Sequence, residues 1–380
     1  MNNIHTIEDL RRYARRRLPR AVFDFVDGAA ETESTLDLNV SEMEALRFKS
    51  RVMVNVANRD LSTLILGAKA RLPMIIGPTG LAALVWPEAD ICLAGAAQRS
   101  GIPFVISTSS SVRLEDIAAA VPGARLWFQL YMYKERELVR SLVQRALDVG
   151  VEALVLTADV PVLGQRVRDL RNGFTVPLRP SGRLIWDLLR CPKWTFDLAR
   201  HGIPKMRNFA DAGHDSIASL AQLMTDNMDA SVDWDSAAWL RDAWPRKIIL
   251  KGVLSPEDAS EAVRRGFEAI VVSNHGGRQL DGAPSSIAAL PAVVSAVAGR
   301  AEVYLDGGVR RGASVAKAVA MGARGVFLGR ATLYGVAAGG VAGVDLALAI
   351  LRAELDRCLA LIGCPTVVSL DQSYIFPVHR

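Results

Sequence analysis

After residue 50, short runs of Val, Ile and Leu alternate along the chain with longer amphipathic stretches. This alternation is typical of βα units around a parallel sheet whose strands are buried on both faces. The predicted strands are 73–77, 103–107, 126–131, 153–158, 247–252, 269–273, 303–307 and 325–329. The predicted helices between them include 88–100, 135–149, 256–265 and 312–321. Eight units in roughly 260 residues predict an α/β fold, a closed (β/α)8 TIM barrel. An open doubly wound sheet is disfavoured because no GxGxxG motif follows an early strand.

Two parts of the chain fall outside this repeat. An N-terminal helical segment begins near Thr6, which has capping-box spacing to Asp9, and Pro19 starts a second helix. Strands four and five are separated by several times the length of a normal βα connection, so a long insertion occupies about residues 175–230. Because no linker-like stretch divides the sequence, we expect residues 1–380 to form a single domain.

Composition narrows the class of protein. Half of the residues are apolar and 22% are charged, as in a globular protein with a large core. The four cysteines form no CxxC pair, so we expect free thiols and no metal site. The charged N-terminus is not expected to be a signal peptide, and no uninterrupted run of about 18 apolar residues predicts a membrane-spanning helix.

The formal net charge of +5 is unevenly distributed. Residues 164–210 contain ten Arg or Lys and three Asp, a local excess of +7, which leaves about −2 for the rest of the chain. A uniformly basic protein would indicate nucleic-acid binding, whereas a local patch does not. We therefore expect no nucleic-acid partner.

Polar residues cluster where the predicted strands end. The carboxyl ends of barrel strands form one rim, and the chemistry of TIM-barrel enzymes takes place there. The residues at these ends are Ser107, Gln129, Tyr131, Thr157, Asp159, Lys251, Ser273, His275, Arg278, Asp306, Gly329 and Arg330. A purely structural barrel does not require so many hydrogen-bonding and ionisable groups at one mouth.

The loops after the last two strands carry a phosphate-binding pattern. The sequence DGGVR at 306–310 and the pair Gly329-Arg330 stand where barrel enzymes commonly bind a phosphate. Glycines let backbone N–H groups approach an anion, and arginines bind its oxygens in a forked geometry. The alternative is that these are glycine turns with solvated arginines.

The run SNHGGRQLD at 273–281 is the candidate acid–base site. His275 leaves a strand end into a Gly-Gly turn, where it can take a proton, and Arg278 can bind a carboxylate. Asp159 could pair with the imidazolium and raise its proton affinity. Arg166 offers a second guanidinium for an anionic substrate. Structural roles for His275 and Arg166 are the alternatives.

Lys251 ends a hydrophobic strand, where a cation is costly unless it meets negative charge. A reduced flavin ring carries such a charge near N1, and Ser107, Gln129 and Thr157 could hydrogen-bond the edge of the ring. Other phosphate-binding barrels remain open at this point, such as an isomerase or a nucleotide dehydrogenase. A basic module that binds nucleic acid or lipid is the non-enzymatic alternative.

The motifs SNHGGRQLDG, LDGGVRRG, FLGRATLYG, WFQLY and LTADVP together resemble the FMN-dependent L-2-hydroxy-acid dehydrogenases and oxidases. The resemblance runs from about residue 7 to residue 369 and implies that a hydroxy acid is oxidised while two electrons pass to FMN. The implied catalytic and substrate-binding residues are His275 as base, Asp159 as its partner, Arg166, Arg278 and Tyr131 on the substrate, and Lys251 on the reduced flavin. The implied FMN-binding residues are Pro78, Thr79, Gly80, Ser107, Gln129, Thr157, Lys251, Ser273, Asp306, Gly307, Gly308, Arg310, Gly329 and Arg330.

Three positions bear on the substrate. Phe25 stands where the family usually has a tyrosine that helps bind the carboxylate. Glycine at position 80 is as in the dehydrogenases of the family. Ser109 stands in place of a large aromatic residue, which leaves room for a bulky side chain on the substrate. Two stretches in and after the insertion resemble most the branch that oxidises mandelate. An L-lactate dehydrogenase and an oxidase that makes hydrogen peroxide from O2 are the alternatives.

In the insertion, aromatic and leucine residues interleave with cations: Trp186, Leu188, Leu189, Trp194, Phe196 and Leu198 with Arg183, Arg190, Lys193 and Arg200. This pattern suits a segment lying in an anionic membrane interface. The resemblance implies a peripheral protein on the cytoplasmic face of the inner membrane that passes electrons to a quinone. It also implies a homo-oligomer, a homotetramer. The alternative is an ordinary lid over the barrel of a soluble cytoplasmic protein.

Overall fold

The computed structural model describes residues 3–173, 182–212 and 227–376, with the side chains of 182–185 and 210–212 left out. Its centre is a closed barrel of parallel strands in the order β10-β3-β4-β5-β6-β7-β8-β9. The barrel strands are Met74–Ile76 (β3), Phe104–Ser107 (β4), Leu126–Leu130 (β5), Ala153–Thr157 (β6), Lys247–Val253 (β7), Ala269–Val272 (β8), Glu302–Asp306 (β9) and Gly325–Leu328 (β10). The predicted TIM barrel and its strands are therefore confirmed.

Helices of the described part surround the barrel. The helices before the insertion are Ile7–Arg17 (α1), Arg20–Asp27 (α2), Ser34–Ala45 (α3), Ala89–Ser100 (α4), Leu114–Ala120 (α5) and Arg136–Val149 (α6). Those that follow are Val167–Arg171 (α7), Gly182–Arg190 (α8), Pro192–His201 (α9), Trp234–Ala243 (α10), Pro256–Arg264 (α11), Ser286–Val297 (α12), Gly312–Ala320 (α13) and Arg330–Ile362 (α14). The four helices predicted between strands are confirmed to within one residue at each end.

The N-terminal segment packs against the end of the chain. Thr6 caps α1, and its side chain and that of Asp9 form the predicted capping box. Helix α1 lies along α14, which runs for 33 residues and breaks at Gly339 and Gly340. By length and composition α14 could cross a bilayer, but 67% of its most apolar window is buried inside the protein. It is therefore a core helix of the barrel.

Three aromatic rings pack together inside the barrel, in the half away from the carboxyl ends of the strands, here called the lower half. The rings of Trp127, Tyr304 and Phe327 meet in tilted pairs, with centroids 5.9–6.2 Å apart. A hairpin of Thr63–Ile65 (β1) and Ala68–Ala70 (β2) closes the barrel below them, and Tyr304 Oη accepts a hydrogen bond from Leu66 N at 3.1 Å. The sequence pattern did not predict this hairpin, because each of its strands has only three residues.

The alternation of side chains along each strand explains why the upper half is polar. Residues two positions apart on a strand point to the same side. The position two residues after each interior apolar side chain holds Gly77, Ser107, Gln129, Thr157, Lys251, Ser273, Asp306 and Gly329. One register therefore places apolar side chains in the lower layer and polar or small residues in the layer above it.

The described part of the insertion packs over the rim. Trp194 is only 6% exposed, and its Nε1 donates to the carbonyl of Leu84 at 2.6 Å. It therefore does not belong to the surface on which the sequence pattern placed it. Trp186, Leu189 and Phe196 are exposed, at 62%, 70% and 65%. The remainder of the predicted 175–230 insertion, residues 175–181 and 213–226, lies outside the described residues.

Candidate active site

His275 and Asp159 meet at the rim. The two side chains are 2.9 Å apart, from His275 Nδ1 to Asp159 Oδ1. Burial opposes ionisation of Asp159, but His275 and Lys251 hold its pKa below the ordinary value. Because an ionised carboxylate only accepts hydrogen bonds, Nδ1 carries the proton, and Nε2 of the neutral ring is left as an acceptor. Burial lowers the pKa of His275, although Asp159 opposes the shift, so the ring is neutral at pH 7.

The backbone around His275 is built to present the ring. His275 has a φ of 58°, in the left-handed region that non-glycine residues rarely adopt. The side-chain amides of Asn274 and Asn39 exchange hydrogen bonds of 2.8 and 2.9 Å, which tie this turn to α3. Gly252 lies at a register shift in β7, and a Cβ there would come 2.6 Å from Asp159. This glycine is needed for the close approach of Asp159.

Lys251 lies in a network of its own. Its Nζ is 3.0 Å from both Ser273 Oγ and Asp306 Oδ2, and Ser273 Oγ donates to Asp306 Oδ2 at 2.7 Å. Ser273 Oγ also accepts from the backbone N–H of His275 at 3.0 Å. Burial alone would lower the pKa of Lys251, but Asp306 and Asp159 raise it, so the ammonium stays charged.

Several buried polar atoms beside this network have no hydrogen-bond partner among the described residues. They are Thr79 Oγ1, Gln129 Nε2, Thr157 Oγ1, Asp159 Oδ2 and Arg166 Nε at the rim. A buried polar group without a partner costs about 1–3 kcal/mol, so such a cluster at one place indicates a ligand that supplies the partners. Gln129 is held in place because its Oε1 accepts from Ser107 Oγ at 3.3 Å.

The guanidinium groups of two arginines lie close to the phenyl ring of Phe25 at the mouth of the barrel. The guanidinium carbons of Arg166 and Arg278 lie 5.9 and 5.3 Å from the centre of the Phe25 ring. Burial lowers the pKa of both arginines, and for Arg278 the positive charges of Arg166 and Arg330 add to the effect. Such a group of cations favours an anion between them. Burial and Asp159 raise the pKa of Tyr131 to about 12, so its phenol keeps its proton and can donate.

The phosphate-binding pattern is assembled from two loops. Gly308 has a φ of 75°, and a Cβ there would come 2.2 Å from the carbonyl oxygen of Asn39. Arg310 lines the same cavity as Gly329, after which α14 begins. The N–H groups at the start of a long helix favour an anion. Arg330, in contrast, hydrogen-bonds the protein itself. Its guanidinium donates to three backbone carbonyls, those of Val26, Gly276 and Gly28, at 2.7–3.1 Å.

A cavity of about 320 Å3 joins these groups. The predicted site residues that line it are Pro78, Thr79, Gly80, Ser107, Gln129, Tyr131, Thr157, Arg166, Lys251, His275, Arg278, Asp306, Gly307, Gly308, Arg310, Gly329 and Arg330. Asp159 and Ser273 lie behind this wall, where they contact His275 and Lys251. The structure therefore brings the predicted set together, with two members in supporting positions.

Some contributors could not be found in the sequence. Asn39 supports Asn274 from 235 residues away, which no local pattern reveals. Gln279, inside the recognised SNHGGRQLD run, donates to the carbonyls of Asp159 and Val162 at 3.3 and 2.8 Å and so holds the loop after β6. Asp169 on α7 is a carboxylate whose charge acts on both arginines, and burial raises its pKa against the pull of Arg278 and Arg166.

The geometry suits a flavin nucleotide. The cavity offers a phosphate site at one end, unpaired donors and acceptors along a strand-end wall, and a buried ammonium where negative charge can be stabilised. The His275–Asp159 pair and the two arginines border the same space. A TIM barrel with this site is a flavin-dependent oxidoreductase for an anionic substrate.

Comparisons with known proteins agree with this class. The family model for FMN-dependent dehydrogenases matches residues 14–377. The chain is 44% identical over 373 residues to (S)-mandelate dehydrogenase of Pseudomonas putida, with 98% of this chain and 94% of that protein covered. It is 40% identical to an L-lactate dehydrogenase of Caulobacter sp. strain K31, with 99% and 100% covered. This chain belongs to the FMN-dependent dehydrogenase family, and its cofactor is FMN.

Solved structures give the same assignment. The crystal structure of the monotopic membrane protein (S)-mandelate dehydrogenase superposes with a TM-score of 0.96 at 44% identity, covering 98% of this chain and 99% of that one. A crystal structure of mandelate oxidase superposes with a TM-score of 0.84 at 36% identity, covering 98% of both chains. The expected family and fold are therefore confirmed.

Proposed function

We propose that this protein oxidises a mandelate-type L-2-hydroxy acid to the 2-keto acid and that a quinone-type acceptor in a membrane receives the electrons. The observation that carries the proposal is the position of His275, with Asp159 on its Nδ1, beside the arginine pair in the cofactor cavity. Bound FMN supplies an acceptor for two electrons. The chain itself binds the acid, orients it and takes up its proton.

The arginine pair is the proposed binding site for the substrate carboxylate. Arg166 Nε has no partner among the described residues, and Arg278 donates to the carbonyls of Phe25 and Gly28 through one nitrogen, which fixes its position. A carboxylate between the two would offset the burial that lowers both pKa values and the repulsion from Arg166 and Arg330 that lowers the pKa of Arg278 further. Tyr131 can donate to the substrate hydroxyl or carboxylate.

His275 Nε2 is the proposed acceptor for the proton. Asp159 stabilises the imidazolium that forms, and Lys251 remains charged to meet negative charge that develops beside it. The residues proposed to hold FMN are the set implied by the resemblance, with Ser273 acting through Lys251 and Asp306. Arg310 and the Gly329 loop are proposed to hold the phosphate.

A bulky substrate side chain is favoured by the shape of the mouth. Gly80 and Ser109 are both small and adjacent, since a Cβ on Gly80 would come 3.0 Å from that of Ser109. The apolar side chains of Phe25, Leu163 and Met206 line the same space. An aryl ring would bury against them, whereas the methyl group of lactate would leave the space unfilled. L-lactate is therefore the second candidate substrate.

Anaerobic mixing with (S)-mandelate, L-lactate and glycolate, followed by the bleaching of the flavin absorbance, tests the reaction. We expect all bleaching to be lost in His275→Asn with FMN still bound, and to be retained in His5→Asn, which changes an exposed histidine far from the site along the chain. Undiminished bleaching in His275→Asn contradicts the assignment. Comparing peroxide formation with reduction of a quinone analogue separates an oxidase from a dehydrogenase.

The proposed membrane contact rests on the exposed Trp186, Leu189 and Phe196, which alternate with the exposed cations Arg190 and Lys193. A structural relative is itself described as a monotopic membrane protein. We propose peripheral binding on the cytoplasmic face of the inner membrane by a single-domain homotetramer. Recovery of all the protein in the soluble fraction at low salt would contradict the membrane contact, and light scattering of the purified protein checks the tetramer.

A further inference from the structure

Two more cavities lie beside the described part of the insertion. The outer cavity, of about 1070 Å3, is bordered by α1, by residues 86–88 and by α9. The inner cavity, of about 350 Å3, shares Trp86 and His201 with the outer one. Val85 lines both the inner cavity and the cofactor cavity. The two residues Val85 and Trp86 therefore connect the surface beside the insertion with the cofactor site.

Contacts with Arg17 and with the break in α14 hold the Trp86 side chain in place between the two cavities. The guanidinium carbon of Arg17 lies 4.1 Å from the centre of a Trp86 ring, and Arg17 donates to the carbonyl of Val85 at 3.1 Å. Asp197 holds the same guanidinium at 3.0 Å. On its other side the indole occupies the break in α14, because a Cβ on Gly340 would come 2.6 Å from it. The side chain that separates the cavities is thus held from two directions.

The lining of the outer cavity has a definite chemistry. Tyr13, Trp86 and Phe196 give it aromatic walls, while Arg16 and Lys193 place cations beside them. Flat aromatic walls suit a planar ring, and the cations can donate to carbonyl oxygens on that ring and favour its uptake of electrons. Phe196 also belongs to the exposed apolar surface of the insertion, so an apolar tail attached to the ring would continue directly onto the membrane-facing surface.

We propose that the outer cavity is the binding site for the acceptor, with the ring of a lipid-tailed quinone against Trp86 and Phe196. This inference rests on the proposed function. Oxidation of one 2-hydroxy acid releases two electrons and two protons, and the quinone takes up two electrons from the cofactor side and two protons from solvent to become the quinol. The substrate keeps its own cavity, so the acid and the quinone occupy different sites on the protein.

Substitution of Phe196 tests the site with a matched control. Phe196→Ala and Trp186→Ala remove similarly exposed aromatic side chains of the insertion, but only Phe196 lines the outer cavity. In detergent with a short-tailed benzoquinone as acceptor, we expect the KM for the quinone to rise about three- to tenfold in Phe196→Ala, since an aromatic contact is worth about 0.5–1.5 kcal/mol. Trp186→Ala should stay within twofold of the unchanged protein.

Trp86 gives a second pair of variants. Trp86→Phe should keep most of the quinone activity, whereas Trp86→Ala should lose it, and anaerobic bleaching of the flavin by substrate should be unchanged in both. A direct readout uses the FMN-loaded protein in its oxidised form with a photoreactive azido-benzoquinone, followed by peptide mapping. We expect labelling of the peptides that contain Tyr13 or Phe196, and its suppression by excess unreactive quinone. If Trp86→Ala does not fold, the Phe196 pair and the labelling still decide the question.

The outcomes separate this inference from the function on which it rests. If no 2-hydroxy acid bleaches the flavin of the unchanged protein, the proposed function fails, while labelling still reports on the cavity. If bleaching is normal but the quinone KM is equal in Phe196→Ala and the unchanged protein, the site is wrong. Equal losses in Phe196→Ala and Trp186→Ala, or labelling confined to peptides outside the cavity, overturn it as well.

Discussion

Asp159→Asn is the change that tests the acid–base pair most directly. The substitution keeps the size of the side chain, and the amide oxygen can still accept from His275 Nδ1, so the tautomer of the ring is preserved. What is lost is the negative charge 2.9 Å from the imidazole. The geometry of the site should therefore survive while the stabilisation of the imidazolium does not.

The magnitude follows from that single contact. A hydrogen bond to a charged group contributes about 1.5–3 kcal/mol, compared with about 1 kcal/mol for a neutral one. Because the imidazolium forms only as the proton moves, the loss falls on the rate of flavin reduction rather than on substrate binding. Because the amide keeps a neutral hydrogen bond, the loss is the difference of about 0.5–2 kcal/mol. At about 1.4 kcal/mol per tenfold, reduction should slow by about 2- to 30-fold. The arginine pair is untouched, so the dissociation constant of the substrate should change by less than about threefold.

Anaerobic stopped-flow absorbance separates the two effects, because its dependence on substrate concentration gives binding and its limiting rate gives reduction. Asp159 raises the pKa of His275 against burial, so the acidic limb of the rate profile should also move to lower pH in Asp159→Asn. A limiting rate within twofold of the unchanged protein, or a limb displaced to higher pH, would refute the pairing.

Asp281→Asn is the matched control. It makes the same carboxylate-to-amide change in the loop that carries His275, but Asp281 accepts from the backbone N–H groups of Thr32 and Thr35 at 3.0 and 2.9 Å. Although burial opposes ionisation, Thr32 and Thr35 hold the pKa of Asp281 well below its usual value. We therefore expect a lower melting temperature with an unchanged rate of flavin reduction. A comparable loss of rate in this variant would mean that any weakening of the loop slows the reaction.

Three further predictions concern binding, folding and pH. Phe25→Tyr places a hydroxyl beside both arginines, and we expect the KM for (S)-mandelate to fall by about tenfold, since a hydrogen bond to a charged group contributes about 1.5 kcal/mol or more; an unchanged KM would show that the hydroxyl does not reach the carboxylate. Arg310→Gln should raise the FMN dissociation constant at least tenfold in fluorescence titration without changing the melting temperature of the cofactor-free protein. Arg330→Gln should lower that melting temperature because three buried carbonyls lose their donor, and an unchanged melting temperature in this variant would contradict its structural role. Finally, kcat/KM should fall on acidification through a pKa below 6.5, because burial lowers the pKa of His275 and only its neutral form takes a proton; a limb above 6.5 in the free enzyme would contradict this.

Periodicity predicted the barrel well because each buried strand is a short apolar run followed by a polar residue or a glycine at its carboxyl end. The same feature predicted the site, since residues such as Lys251 and Asp306 stand at strand ends and all strand ends meet at one rim. The contacts that the sequence did not predict join residues far apart along the chain. The hydrogen bonds between Asn274 and Asn39 join residues 235 positions apart, and no local sequence pattern near either residue predicts them.

The role of individual side chains was harder to predict than their position. Arg330 was assigned to the phosphate from its place in the sequence, but its guanidinium also secures the segment from Val26 to Gly28 to the barrel. Trp194 was counted with the exposed aromatic residues of the insertion, yet its indole is buried and donates to Leu84. A residue type indicates which contacts are possible, whereas the tertiary packing decides which of them forms.

The aromatic plug of Trp127, Tyr304 and Phe327, together with the hairpin beneath it, has a consequence for how this architecture can diversify. The plug stabilises the barrel, and of its three rings Phe327 alone also lines the cofactor cavity, whereas the loops at the rim carry the acid–base and substrate-binding groups. Substitutions of rim residues that do not tie the loops to the barrel can therefore alter which acid is accepted while the fold is kept. We expect proteins with different hydroxy-acid preferences to share this aromatic plug and hairpin and to differ in the loops at the rim of the barrel.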